Sequence, residues 1–418
     1  MTLLTPRSTA LALTAALLAG CGAAGMTPVG SATTPRGAEA SKAVLAQRLI
    51  VGFKQTASRA AIAQAEKASG ARAVKVMPKV AMAVFEARRS LKVTRETLLG
   101  LPGVAFVEAE LLPALEPVKA VNVTVRPRQD GSKVDPLRQE QWYLETMGVP
   151  TVWAAGRATK SVTVAIVDTG VDLKHPDLQG KLVSGWNAAD PGAPPQDVLG
   201  HGTMCAGLVG AVADNAQGIA GVAPNAKLLP VKVGNSASSV VDAMMWAADH
   251  ADLITMSLSF KPNMSQYPMA VEATKRAAEY VMSKGVPMVC SMGNTGTSSR
   301  NVPSAFAGHE VPNLIAVGAT DRNDKVTSFS TYGNWCSVSA PGASIITTAM
   351  GGGYKAVSGT SFSTPLTAGV VALMLGAGID RDPGVIKQRL QATAVDIGAP
   401  GYDEKAGAGR VDAARAVL

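Results

Sequence analysis

Apolar and polar positions alternate in two different ways along this chain. Between residues 47 and 110 the apolar stretches are short and broken by helical spacing. QRLIVGFK (47–54) reads as a strand, and ASRAAIAQAEKA (57–68) sets its alanines at helical spacing with Gly70 as a stop. ARAVKVMPKVAMAVFEA reads as the two strands of a hairpin. TRETLLGL reads as a short helix with Thr94 and Thr97 as competing caps, and GVAFVEAE (103–110) as a closing strand. The order β-α-β-β-α-β is that of a split, ferredoxin-like α+β unit.

From residue 135 onward, near-continuous apolar runs alternate with longer helical patterns. SVTVAIVDTG (161–170), AKLLPVKV, DLITMSLS, VPMVCSMGN and NLIAVGAT read as buried strands. HGTMCAGLVGAV (201–212), SVVDAMMWAADHA, AVEATKRAAEYVMSKG and TSFSTPLTAGVVALMLGAG read as helices between or after them. This pattern predicts a parallel sheet with helices on both faces, with any site lying beyond the C-terminal ends of the strands. Between the two regions, the stretch with Pro113, Pro117, Pro127 and Gly131 has no period and reads as a linker open to cleavage.

The first residues carry one basic side chain, Arg7, and then an apolar stretch from Ala10 to Ala19 that is too short to span a bilayer. They read as an export signal. Leu18-Ala19-Gly20-Cys21 resembles the bacterial lipobox, which makes Cys21 a candidate for lipidation; an ordinary cleaved signal with an incidental cysteine is the alternative. The chain thus divides into a signal (1–21), a flexible tether (22–46), the small unit (47–111), a linker (112–134) and a large α/β domain (135–418).

Composition adds two constraints. The net charge of +8 is unevenly placed: residues 135–418 hold 21 basic and 23 acidic side chains, residues 22–134 hold 17 and 8. A near-neutral large domain argues against a nucleic-acid-binding stripe there. Past Cys21 there are three cysteines, Cys205, Cys290 and Cys336, too few for a disulfide framework and wrongly spaced for zinc.

Four residues sit at strand ends or helix starts of the predicted sheet: Asp168, His201, Asn294 and Ser361. Each has an ordinary structural reading on its own. Asp168 suits an Asx-turn, His201 a partly buried structural position, Asn294 a turn, and Ser361 or Ser363 a helix cap with Pro365 in the first turn. Taken together, they fall in the order Asp, His, Ser on one α/β sheet, the order the subtilisin-type triad takes.

The neighbouring residues sharpen this. VAIVDTGVDLKHPDL, GHGTMCAG, ITMSLS, CSMGN and SGTSFSTP resemble, in order, the aspartate, histidine, substrate-strand, oxyanion and nucleophile blocks of the subtilisin-like serine proteases. RLIVGFK through VAFVEAE resembles the family's inhibitory propeptide, and the resemblance runs over roughly residues 48 to 415. It implies a subtilisin-like fold and a secreted or surface-tethered serine endopeptidase made as a zymogen. Ser361 is then the nucleophile, His201 the general base, Asp168 its orienting partner and Asn294 an oxyanion donor. Ser257, Leu258 and Ser259 become the substrate-binding strand.

The resemblance also implies polypeptide substrates, the chain's own propeptide as inhibitor, a monomer, and membrane attachment through Cys21 before processing. It implies no catalytic cofactor but a structural calcium ion, on Gln139, Asp177 and Asn215. Three departures stand out. Met204 replaces the usual second histidine. Cys205 resembles a thiol-dependent branch in which a free cysteine lies under the histidine. Ser257-Leu258-Ser259-Phe260 replaces Ser-Leu-Gly-Gly, which points to a narrower P1 pocket taking small or unbranched residues. The alternative reading is an inactive, subtilase-fold binding protein, whose sign would be a missing triad or oxyanion residue.

Overall fold

The computed structural model describes residues 44–110, 120–126, 131–260 and 271–418. The signal, Cys21, most of the tether and parts of the linker lie outside the described residues.

The N-terminal unit is built from β1 (Arg48–Phe53), α1 (Arg59–Ser69), β2 (Arg72–Met77), β3 (Met82–Glu86), α2 (Leu91–Leu99) and β4 (Val104–Ala109). The strands form an antiparallel sheet in the order β2-β3-β1-β4. Helix α1 starts because the Ser58 side chain accepts the Ala61 N–H, and stops because Gly70 takes the left-handed conformation. Helix α2 differs from expectation: it begins after Ser90, so Thr94 lies buried inside it and caps nothing.

The period-two alternation of β1 explains how this unit docks. Leu49, Val51 and Phe53 join Phe85, Leu98 and Val107 in a small core of its own. Ile50 faces the other way and joins Met82, Val84 and Phe106 in the core of the large domain. Gly52 is needed there, since a Cβ would lie 2.1 Å from the Phe106 ring.

A short strand missed by the sequence reading follows in the linker: β5 (Ala120–Val123) pairs antiparallel with residues 353–357. The large domain then runs through α3 (Trp142–Thr146), α4 (Val149–Ala155), β6 (Thr163–Asp168), β7 (Trp186–Asn187), α5 (His201–Gly210), β8 (Lys227–Lys232) and α6 (Ala237–His250). It continues with β9 (Leu253–Met256), α7 (Val271–Ser283), β10 (Met288–Ser291), β11 (Ile315–Thr320) and β12 (Val338–Pro341). After β13 (Ile345–Ala349) and β14 (Gly353–Val357) come α8 (Thr360–Gly376), α9 (Pro383–Thr393) and α10 (Ala413–Val417).

Seven strands form a parallel sheet in the order β12-β11-β10-β9-β6-β8-β7. Burial on both faces accounts for their continuous apolar runs: β9 and β10 have no exposed residue. One face carries α5 and α8; the other carries α6 and α7, over which the N-terminal sheet is laid. Strands β8 and β9, both later in the chain, flank β6 on opposite sides, so β6 lies at the topological switch point where parallel sheets open a crevice.

Candidate active site

Asp168 ends β6 at that crevice and is 1% exposed. Its Oδ1 accepts the Thr169 N–H at 2.7 Å and lies 2.7 Å from His201 Nδ1. Among the described residues its Oδ2 is buried without a hydrogen-bond partner. His201 is the first residue of α5. The helix can come this close because Gly202 has no side chain: a Cβ there would lie 2.0 Å from the Gly170 carbonyl and 3.0 Å from Asp168 Cβ. Burial pushes the His201 imidazole towards its neutral form, but the facing Asp168 carboxylate outweighs this and holds its pKa well above the ordinary value.

Cys205 lies one turn further along α5, on the same face. Its Sγ is 3.9 Å from His201 Nδ1 and donates to the Ser361 carbonyl at 3.5 Å. Burial raises its pKa, so the group is a thiol at neutral pH. Cys205, Cys290 and Cys336 are all free and buried. Met204, in place of the usual histidine, packs in the core, and its carbonyl takes the Thr347 hydroxyl.

Helix α8 starts earlier than the capping reading supposed. Gly359 occupies the cap position with no side-chain cap bond, Ser361 lies within the first turn, and Pro365 sits inside the helix. Lacking an N–H, Pro365 cannot bond the carbonyl of Ser361, four residues back. The Ser257 hydroxyl takes that carbonyl instead at 2.8 Å, alongside Cys205. The Ser361 hydroxyl in turn donates to the Ser257 carbonyl at 3.3 Å. Ser257 is therefore a partner of Ser361 itself. Leu258 and Phe260 are buried in the core, Ser259 is half-buried, and the Phe260 backbone pairs with Val302.

Asn294 follows β10 and faces the start of α8. Its Oδ1 accepts the Thr360 N–H at 2.9 Å and the Thr360 hydroxyl at 3.1 Å. Thr360 Oγ1 also accepts the Gly293 N–H, so the Asn294 amide is held at the start of α8 by its oxygen. Sequence reasoning missed Thr360, along with Thr169, Asp197 and Thr203, which surround the His201 turn. Thr360 and Thr169 find their partners far off in sequence, and Asp197 and Thr203 combine local bonds with long-range ones to the loop after β6.

Of the three expected calcium ligands, two meet. Asn215 Nδ2 is 2.9 Å from Asp177 Oδ1, while Asp177 Oδ2 accepts the Ile219 N–H and the Tyr354 hydroxyl. The second carboxylate at this turn is Asp135, which accepts the N–H groups of Asp214 and Asn215. Gln139 is exposed on the surface. Burial, with the Asp135 charge adding to it, pushes the Asp177 carboxyl up to about 6.

The N-terminal unit reaches the same end of the sheet. Glu108 accepts the N–H groups of Glu272 and Ala273 in the first turn of α7 at 2.9 and 3.0 Å. Glu110 accepts the Ser238 N–H and hydroxyl at the start of α6, and its carbonyl takes the Ala237 N–H at 2.7 Å. Two buried carboxylates thus cap two parallel helices. Burial raises both pKa values. Ion pairs Lys75–Asp242 and Lys79–Asp249 flank the interface, and Arg276 donates to the Val80 and Ala81 carbonyls.

A carboxylate–imidazole pair beside a helix-start serine and a gripped asparagine is the equipment of a serine hydrolase. Comparison with known proteins agrees. Residues 159–409 match the subtilase family and residues 33–110 match the fervidolysin N-terminal prodomain, so the chain belongs to the subtilase family. It is 39% identical over 286 residues to thermitase of Thermoactinomyces vulgaris, covering 66% of this chain and 95% of thermitase. It is 30% identical over 365 residues to subtilisin E of Bacillus subtilis (strain 168), covering 86% and 88%. The crystal structure of fervidolysin from Fervidobacterium pennivorans, described as a keratinolytic enzyme related to subtilisin, aligns with a TM-score of 0.72 at 29% identity. That alignment covers 89% of this chain but only 60% of fervidolysin's length. The chain is a subtilisin-like serine protease with an N-terminal prodomain. The binding-protein alternative needed a missing triad or oxyanion residue, and all four are present.

Proposed function

We propose that this protease is made as an exported zymogen and matures into an endopeptidase acting on polypeptides through Asp168, His201 and Ser361. The 2.7 Å bond between Asp168 and His201 carries the reading, with Ser361 tethered beside it. His201 Nε2 takes the Ser361 proton as Oγ bonds to the scissile carbonyl carbon. The resting hydroxyl donates to the Ser257 carbonyl and would turn to the imidazole as substrate binds, since such bonds commonly tighten only then. Asp168 fixes the Nδ1–H tautomer and stabilises the imidazolium. Asn294 Nδ2 and the Ser361 N–H receive the oxyanion. The C–N bond then breaks, His201 protonates the leaving amine, and water, deprotonated by His201, releases the acid from the acyl-enzyme. In subtilisin, a relative, losing the oxyanion asparagine costs roughly 100- to 1000-fold in rate.

The prodomain acts as the intramolecular inhibitor until it leaves. The capping by Glu108 and Glu110 supports this, since it brings the end of β4 to the helix termini beside the catalytic crevice. Lipidation of Cys21 would hold the precursor at the membrane, and cleavage in 112–134 would release a monomeric catalytic domain; the lipobox-like residues support the first step. No described helix is long and apolar enough to cross a membrane.

The two carboxylates of Asp135 and Asp177, which lie together in a buried turn beside Asn215, support a structural calcium ion there. It would cross-link three distant segments and take no part in the chemistry. Ser259 and Phe260 support a preference for small or unbranched P1 residues.

The test is intact mass of the chain from residue 22 onward and of its Ser361→Ala variant. Wild type loses a fragment of prodomain size and the variant stays whole. An uncut wild type that also resists fluorophosphonate labelling at Ser361 would sink the reading.

A further inference from the structure

A buried carboxylate that the reaction does not use lies under the start of α5. Asp197 is 2% exposed, in the loop leading to His201. Its Oδ1 accepts the Thr169 hydroxyl at 2.9 Å and the N–H groups of Leu199 and Gly200 at 3.0 and 2.8 Å. Its Oδ2 accepts the N–H and the hydroxyl of Thr203 at 2.9 and 2.6 Å.

The two threonines make this more than a helix cap. A hydroxyl has one proton, and both give it to Asp197, so both oxygens are left to accept. Thr169 Oγ1 accepts the Gly202 N–H at 2.9 Å; Thr203 Oγ1 accepts the Asp172 N–H at 2.9 Å. The two bonds cross the same gap in opposite directions. Thr169 directly follows Asp168 and binds the residue that directly follows His201. Thr203, on the helix, binds the loop beyond β6. The strand end that carries Asp168 and the helix start that carries His201 are therefore laced together twice, and each lace needs Asp197 as acceptor.

We propose that Asp197 is a positioning residue of the protease, holding Asp168 and His201 in register through Thr169 and Thr203. The proposal rests on the triad reading above. An asparagine in its place has one oxygen and one donating NH2. Whichever way it turns, one threonine hydroxyl meets a donor, must turn its proton away, and loses the acceptor that aims its oxygen at the backbone N–H. One lace opens, and a misplacement of about 1 Å at a catalytic pair is enough to cost roughly 100-fold in rate.

The test compares Asp197→Asn, Thr169→Val and Thr169→Ser in the full chain, each measured per active site by burst titration. Asp197→Asn and Thr169→Val should lower kcat about 10- to 100-fold with KM within about twofold. Thr169→Ser, which keeps the hydroxyl, should stay within about threefold of wild type. The acid limb of kcat/KM should move to lower pH in the first two. The groups facing His201 are Asp168 from β6, Cys205 as a thiol from its own helix, and the non-titrating Phe362 ring from α8. Loosening the Asp168 contact removes what raises the His201 pKa. The proposal is overturned if Asp197→Asn and Thr169→Val lower the melting temperature but leave kcat and the acid limb in place. If Asp197→Asn does not fold, the Thr169 pair decides alone. Failure of the triad reading looks different: wild type would show no burst, or Ser361→Ala would keep activity.

Discussion

Cys205 shows how much one residue's place in a helix can decide. Four positions after His201, it lies on the same face, and this much follows from the sequence alone. Its thiol touches both the imidazole of the base and the carbonyl of the nucleophile. A mercurial on this sulfur has no room to sit without displacing His201. Treatment with p-hydroxymercuribenzoate should abolish peptidase activity, and Cys205→Ala should stay active and become resistant. Burial raises the thiol's pKa, so inactivation should speed up as pH rises. Full activity in stoichiometrically mercurated enzyme would rule the contact out as a route of inhibition. Asp168, His201, Asn294 and Ser361 could be singled out in the sequence because each stands in a local pattern at a strand or helix end. Thr360 and Asp197 could not. Thr360 serves Asn294 from 66 residues away, and Asp197 gathers donors from two sides of a crevice.

Elements differed in legibility for a related reason. Strands buried on both faces write continuous apolar runs, and β6, β8, β9, β10 and β11 were read from them. Strands β5, β7, β12, β13 and β14 are only two to five residues long or lie in connecting segments, and β5 is mostly exposed. Their pairing is set by partners and not by composition. The capping of α6 and α7 by Glu110 and Glu108 belongs to this scale and has a measurable consequence. A carboxyl whose pKa is raised in the docked state binds its proton more tightly there than when the prodomain is free. Docking is thus favoured below the ordinary glutamate range, and that contribution is lost as pH rises through the raised values. The lag between self-cleavage and the appearance of activity should be shorter at pH 8 than at pH 5. Replacing both glutamates by glutamine should flatten this dependence; an unchanged pH profile in the double variant would assign it to other groups. Glu108→Ala should speed prodomain release roughly 2- to 30-fold, the effect of losing a cap of about 0.5–2 kcal/mol.

At the scale of the whole molecule, ion pairs and buried hydrogen bonds hold distant parts together. The basic N-terminal region meets acidic side chains of α6 at Lys75–Asp242 and Lys79–Asp249. The turn at Asp135, Asp177 and Asn215 brings the start of the large domain against its middle, and Tyr354 ties both to β14. If calcium fills this turn, chelation in the Ser361→Ala background, where self-digestion is absent, should lower the melting temperature by on the order of 5–10 °C. The same variant with Asp177→Asn should start lower and no longer respond. An equal response in both would exclude this site.

The strand β5 gives the position of one cut a further meaning. It is the outer member of a three-stranded sheet whose middle strand, β14, ends four residues before Ser361. Cleavage before Ala120 leaves β5 in place, and the sheet keeps a border only four residues long. Cleavage after Val123 leaves β5 free to depart and bares a row of unpaired backbone donors and acceptors along β14. Such a row is a template for any extended chain, including another copy of the enzyme. The N-terminal residue of the mature protein therefore reports more than a processing site: it tells whether the product leaves the precursor with its border sealed or ready to aggregate.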